Sequence, residues 1–190
     1  MRHQLLWLSG ALALGLSLSA LSAPTVALAE ERSCRGTIGA QIVDNLRVPD
    51  GATCTLKGTT VKGTIKVETN AVLRAFDVRV VGNVQAEDAR RVVVAEGSHV
   101  GGSVQVVQSA AANIRDSRIN ADILLDDNSA RNAVNRNVIG GNVQIFQNTG
   151  GVRIFDNRID GNLQCKENSP RPVGDGNVVQ GNKEDQCRGF

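Results

Sequence analysis

A short motif of alternating apolar and polar residues recurs seven times along the chain. It runs VKGTIKV from Val61, VVGNVQA from Val80, VGGSVQV from Val100, INADILL from Ile119, IGGNVQI from Ile139, IDGNLQC from Ile159 and VQGNKED from Val179. The starts are separated by 19, 20, 19, 20, 20 and 20 residues. In the first six copies the first, fifth and seventh positions are apolar, as in Ile139, Val143 and Ile145, and the third is Gly or Ala. Such period-two alternation predicts a strand with one buried face. A shorter apolar pair upstream, Ala112 with Ile114 or Val152 with Ile154, predicts a second strand. Asp126-Asp127-Asn128-Ser129 and Asn148-Thr149-Gly150-Gly151 supply the corners, where short polar side chains and Gly favour turns.

Two or three short strands in each unit of about 20 residues, with no helical stretch between units, describe a right-handed parallel β-helix. Each unit is one coil, and the hand follows from the rule for crossovers between parallel strands. About eight coils stacked at about 4.8 Å give a solenoid roughly 38 Å long. The final copy breaks the pattern, placing Lys183, Glu184 and Asp185 where earlier copies carry Val or Leu, Gln and an apolar residue. Charge on a terminal strand opposes end-to-end stacking, so this segment is expected to cap the rod.

Residues 1–29 do not fit the repeat. Arg2 and His3 precede an apolar run from Leu5 to Leu21, and Ala27-Leu28-Ala29 precedes Glu30, the pattern of a signal peptide with an A-x-A cleavage site. A second candidate cut follows Ala23. The run is interrupted by Ser and Gly and ends at Pro24, which argues against a membrane anchor. The expectation is an exported protein, periplasmic or extracellular, with one domain over residues 30–190. That domain holds 23 Val and 10 Ile against 6 Leu, an excess of β-branched residues that favours strands. A net charge of +2 and no block of like charges give no argument for nucleic acid as a partner.

The four cysteines test the repeat independently. Cys34 and Cys54 are 20 residues apart, one coil, and Cys165 and Cys187 are 22 apart. Four cysteines allow three pairings. Stacked neighbours on adjacent coils lie within disulfide reach, so the pairs Cys34–Cys54 and Cys165–Cys187 would clamp both ends, as export permits. Buried free thiols are the alternative. A zinc site is disfavoured by the lack of C-x-x-C and by His99 being the one histidine after the leader.

The stretches VPDGATCTLKGTTVKG (48–63), GNVQAEDARRV (82–92), GGSVQV (101–106), GNLQCKENSP (161–170) and GNVVQGNKEDQC (176–187) resemble a family of small secreted bacterial β-helix proteins of unknown function. The resemblance spans nearly all of residues 30–190 and implies a right-handed β-helix outside the cytoplasm, with no catalytic residue to carry over. The V-x-G-x-V spacing is also similar, more weakly, to that of bactofilins, which polymerise. Bactofilins lack a leader and such paired cysteines, and the charged end here opposes polymerisation.

In a solenoid, chemistry should appear as columns. The fourth position of the repeat reads Thr64, Asn83, Ser103, Asp122, Asn142, Asn162, Asn182, and the sixth Lys66, Gln85, Gln105, Leu124, Gln144, Gln164, Glu184. Together they are expected to form a flat amide-rich strip. Its structural reading is amides bonded to their own kind up the stack, and its functional reading is a polar binding face that includes Asn142, Gln144, Asn162 and Gln164. A column before each repeat, Thr60, Arg79, His99, Arg118, Val138, Arg158, Val178, offers Arg79, Arg118 and Arg158 to the carboxylates or sulfates of an acidic polysaccharide. A solvated face whose Arg stems cover apolar surface is the simpler reading. Hydrolysis would need two carboxylates on one cleft, whereas Asp116 and Asp156 are two coils apart with Arg136 between them. Asp126-Asp127-Asn128 could approach calcium but supplies few of the six or more oxygens it needs. The expectation is an exported structural or binding protein with no catalytic residue, metal or cofactor. A carbohydrate-binding or carbohydrate-active protein and a self-assembling scaffold are the alternatives. Its partner would be a cell-envelope component or a polysaccharide.

Overall fold

A computed structural model describes residues 30–190; the expected leader, residues 1–29, lies outside the described residues. The chain coils into a parallel β-helix whose short strands line up in three sheets of nine, eight and eight strands. One coil consists of Val143–Phe146 in sheet A, Val152–Phe155 in sheet B and Arg158–Ile159 in sheet C. Each strand pairs in parallel with its equivalent one coil away. Val143 faces Leu163, Ile154 faces Val134, and Arg158 faces Val138 and Val178. The period-20 reading therefore holds, with three strands per coil.

The recurring heptapeptide is not one strand. Ile139 ends a two-residue strand of sheet C, Gly140, Gly141 and Asn142 turn the corner, and Val143 begins sheet A. First and fifth positions both reach the core because the chain bends between them, and Ile139 and Val143 are fully buried. The third-position glycine has a steric cause in this corner. A Cβ at Gly102 would lie 2.0 Å from Oδ1 of Asn83, and one at Gly161 2.6 Å from Oδ1 of Asn142. The exception is Ala121, and beneath it the fourth-position residue is the shorter Ser103.

Inward columns of Val, Ile and Leu fill the rod. Val61, Val80, Val100, Ile119, Ile139 and Ile159 form one, and Ile65, Val84, Val104, Ile123, Val143 and Leu163 another, each residue fully buried. Burying each such side chain is worth roughly 1.5–3 kcal/mol, and repetition along the axis does the work that large aromatic side chains do in other cores. Both ends are clamped. Disulfides join Cys34 to Cys54 and Cys165 to Cys187, with Cα–Cα distances of 5.5 and 5.3 Å. At the C-terminal end Lys183–Asp185 pairs with sheet A, and the turn that follows brings Phe190 against the core, where Val179 also packs. The Lys183 ammonium donates to the carbonyls of Asn177 and Phe190. The cap thus combines the charged strand read from sequence with an apolar lid.

Candidate functional site

The two amide columns do not form one strip. The fourth position lies in the corner, where its side chain serves the backbone. The backbone N–H of Ser103 donates to Oδ1 of Asn83 at 2.8 Å, that of Asn142 to Asp122, that of Asn162 to Asn142 at 2.9 Å, and that of Asn182 to Asn162 at 2.8 Å. Each oxygen accepts the N–H one coil further on, across the space that the third-position glycine leaves open. Asn142 and Asn162 are committed to this ladder.

The sixth position stands on the outer face of sheet A. Gln85 donates to Gln105 at 3.2 Å, Gln144 to Gln164 at 3.3 Å and Gln164 to Glu184 at 2.9 Å, with Leu124 interrupting the row. These bonds run along the stack, as the structural reading of the strip requires. Gln144 and Gln164 remain partly exposed, and Gln85 is exposed.

Two further ladders escaped the sequence reading because their members look like turn residues. Asn128 and Asn148 are fully buried and Asn168 nearly so. Oδ1 of Asn148 accepts both the backbone N–H and the side-chain amide of Asn128, and its own Nδ2 reaches the carbonyls of Leu125 and Phe146. Asn137, Asn157 and Asn177 repeat the arrangement at a second corner. The preceding residue in each case has a positive φ, among them Asp127, Gln147 and Glu167 at one corner and Arg136 and Asp156 at the other. Asn128, considered above for calcium, points into the rod and is spent on these bonds.

Arg79, Arg118 and Arg158 do fall in one exposed column on sheet C, with half-buried His99 between the first two. The column is mixed, since Ile42, Val138 and Val178 in the same register are exposed by 69%, 37% and 58%. Arg158 lies 3.9 Å from Asp160, while Arg79 and Arg118 have no acidic partner among the described residues.

The carboxylates behave as the column positions dictate. Arg136 grips Asp116 through two bonds of 2.6 and 3.0 Å, and Arg115 adds a third at 3.1 Å. The Arg136 hydrogen bonds, then Arg115, hold the Asp116 carboxyl below its ordinary range despite a counteracting desolvation. Asp126 is pushed the other way, first by burial and then by the charge of Asp127. Its Oδ1 is buried with no hydrogen-bond partner, beneath a hollow of about 350 Å³ shared with Phe146, Gln147, Lys166 and Glu167. Glu167, bonded to Gln147 and beside Lys166, is held below its ordinary range. Among the described residues, no group of three or more His, Cys, Asp or Glu is placed to hold a metal ion, and no helix is long and apolar enough to cross a membrane.

The surface that sequence reasoning missed is the outer face of sheet B. Its strands present Lys57, Arg74, Arg91, Arg115 and Arg153, with Arg131 beside them, against one acid, Asp175. Sheet A differs, with Glu31, Glu87, Asp126 and Glu184 set against Arg47, Lys66 and Lys166. A near-neutral chain therefore conceals a segregated surface. No protein-family model, curated protein or solved structure matches this chain.

Proposed function

We propose that the protein is an exported, non-catalytic structural or binding element of the cell envelope or the extracellular space. The observation that carries this reading is the pair of disulfides closing the two ends of one continuous stack. Disulfides persist in oxidising compartments outside the cytosol, and the sequence of residues 1–29 has the form of a secretory leader. A rod clamped in this way keeps its faces in fixed register, which suits display of a repetitive surface to a partner. The fourth-position and corner side chains, which would be the natural place for a repeated active site, are engaged in ladders.

The test is fractionation of the producing cells with sequencing of the protein's N-terminus and non-reducing mass spectrometry. The expected product is soluble, begins at or near Glu30, carries two disulfides and is recovered from the periplasm or the medium. Recovery from the cytoplasm with free thiols would overturn the reading. Light scattering addresses the scaffold alternative, because a capped rod should stay monomeric as concentration rises.

A further inference from the structure

We infer that the outer face of sheet B is a binding surface for a linear acidic polysaccharide, seated in a groove between Arg91 and Arg131. The inference names a surface and a partner class for the envelope role proposed above, and it rests on that role. The groove has a volume of about 660 Å³ and a floor of small residues, including Ala111, Ala133 and Gly150. At Gly150 the chain passes so close to the neighbouring coil that a Cβ would lie 2.1 Å from the backbone of Ala130.

Register places the two arginines in one column. Arg91 pairs with Ala111, and Asn113 with Ala133, which sets Arg131 beside Ala111. Arg91 and Arg131 thus stand two coils apart, about 9.6 Å at the strand spacing, over the alanine. Both are exposed, and neither has an acidic partner among the described residues. Arg74 and Arg153 extend the same face on either side, equally unpaired. Arg153 lies 5.0 Å over the Phe155 ring, which fixes the direction of its guanidinium. Among the described residues, Arg115 is the one arginine of this face with acidic partners, Asp116 at 3.1 Å and Glu96 at 3.8 Å.

Charge complementarity calls for an anionic ligand, and the details select its class. Guanidinium forks match carboxylates bidentately, and four of them recurring along a rigid lattice match a polymer whose charges also recur. On the groove floor, Oδ1 of Asn113 is buried with no hydrogen-bond partner. It is an acceptor that a ligand hydroxyl can satisfy as the side chain turns toward it. A nucleic acid would seek aromatic platforms for its bases, whereas Phe155 is already covered by Arg153 and the groove lining contains no aromatic ring.

The experiment is calorimetric titration of the oxidised protein with polygalacturonate, with neutral dextran and an oligodeoxythymidine as comparison probes. Binding to polygalacturonate alone is expected, weakening as salt is raised. Arg91→Ala with Arg131→Ala should weaken it at least about tenfold, because two charge-assisted contacts are lost. Ala133→Leu should weaken it with no change in charge. The triple change of Arg79, Arg118 and Arg158 to Ala removes more charge from sheet C and should leave affinity within about twofold. If Ala133→Leu does not fold, Arg91→Lys with Arg131→Lys serves instead, keeping the charge and losing the forks. Equal losses from the sheet B and sheet C variants, no loss from either substitute, no binding, or tighter binding of the oligonucleotide would each overturn the proposal. Cytoplasmic recovery in the fractionation would remove the envelope role and leave the measured binding standing; a secreted protein that does not bind would remove the groove alone.

Discussion

The first and second halves of the rod solve the same corner problem with different side chains. At one corner the column runs Ala89, Ser109, Asn128, Asn148, Asn168, and at the other Thr59, Val78, Ser98, Ser117, Asn137, Asn157, Asn177. In the N-terminal half a hydroxyl accepts one backbone N–H, as Ser109 does from Ala89 at 2.9 Å and Ser98 from Val78 at 3.2 Å. In the C-terminal half Asn128, Asn137, Asn148, Asn157 and Asn168 each accept from one coil and donate to the next, and the first column closes on Gln186, whose side-chain oxygen accepts from the backbone and the side chain of Asn168. Both 19-residue spacings fall among the first three of the six between motif starts. A bidentate corner residue ties three coils together, as Asn148 does, whereas a hydroxyl such as that of Ser109 ties two.

Breaking the stronger ladder should have the largest effect. Asn148→Ala leaves the N–H and side-chain amide of Asn128, the Leu125 carbonyl and Oδ1 of Asn168 each short of a buried partner. At 1–3 kcal/mol for each unsatisfied group, partly recovered by relaxation, the expected loss is about 3–5 kcal/mol. Ser109→Ala removes the acceptor for one N–H and should cost about 1–2 kcal/mol. Chemical denaturation of the two variants side by side checks the ratio, and equal losses would dissolve the contrast between the halves.

The disulfides come next. Each closes a loop of about 20 residues, for which loop-closure entropy gives about 3 kcal/mol. Their effects should differ in place. Without Cys34–Cys54, hydrogen exchange should accelerate in the hydroxyl-cornered coils adjoining it. Without Cys165–Cys187, the asparagine ladder should confine the fraying to the cap. Exchange spreading equally far from both ends would show that the corners do not set local stability.

A third effect, about 1–3 kcal/mol by the usual cost of overpacking, concerns the glycine at the third position. Gly102→Ala drives a Cβ into Oδ1 of Asn83. Pairing it with Asn83→Ser should recover part of the loss, because Ala121 already sits above Ser103 in the native rod, with its N–H to Gly102 O stretched to 3.3 Å. A double-mutant cycle with no coupling would show that the glycine answers to backbone crowding instead.

The fold was legible because a solenoid writes its period into the sequence, and the cysteine spacing could be checked against that period. The corners were not. Asn148 and Asn157 sit among Asp, Thr and Gly, and nothing local distinguishes a solvated turn asparagine from one buried in a ladder. The heptapeptide read as one straight strand because a bend of suitable size preserves the inward phase of Ile139 and Val143. The Arg column of sheet C was visible because it adjoins the repeat motif. Arg91 and Arg131 were not, since one begins a strand in the less regular part of the coil and the other immediately precedes one, and only the register of sheet B brings them into one column.

The smallest expected effect tests the seam between the halves, where Asp116 and Arg136 immediately precede Ser117 and Asn137. Because the Arg136 bonds depress the Asp116 carboxyl in the folded state, its contribution is complete above the ordinary Asp range and disappears as pH falls through the lowered value. Asp126 has the opposite sign. Burial raises its folded value, so ionisation opposes folding as pH climbs from the ordinary range through the raised one. Asp126→Asn should therefore raise the melting temperature at neutral pH, by about 1–2 °C for a chain of this size, and lose that advantage in acid. Arg136→Ala should flatten the acid limb of the profile, with faster exchange at Ser117 and Asn137. Melting curves from pH 2 to 8, about the span over which carboxylates titrate, separate the two. An unchanged acid limb in Arg136→Ala would mean that the ion pair is solvated away and that the buried asparagines alone hold the seam.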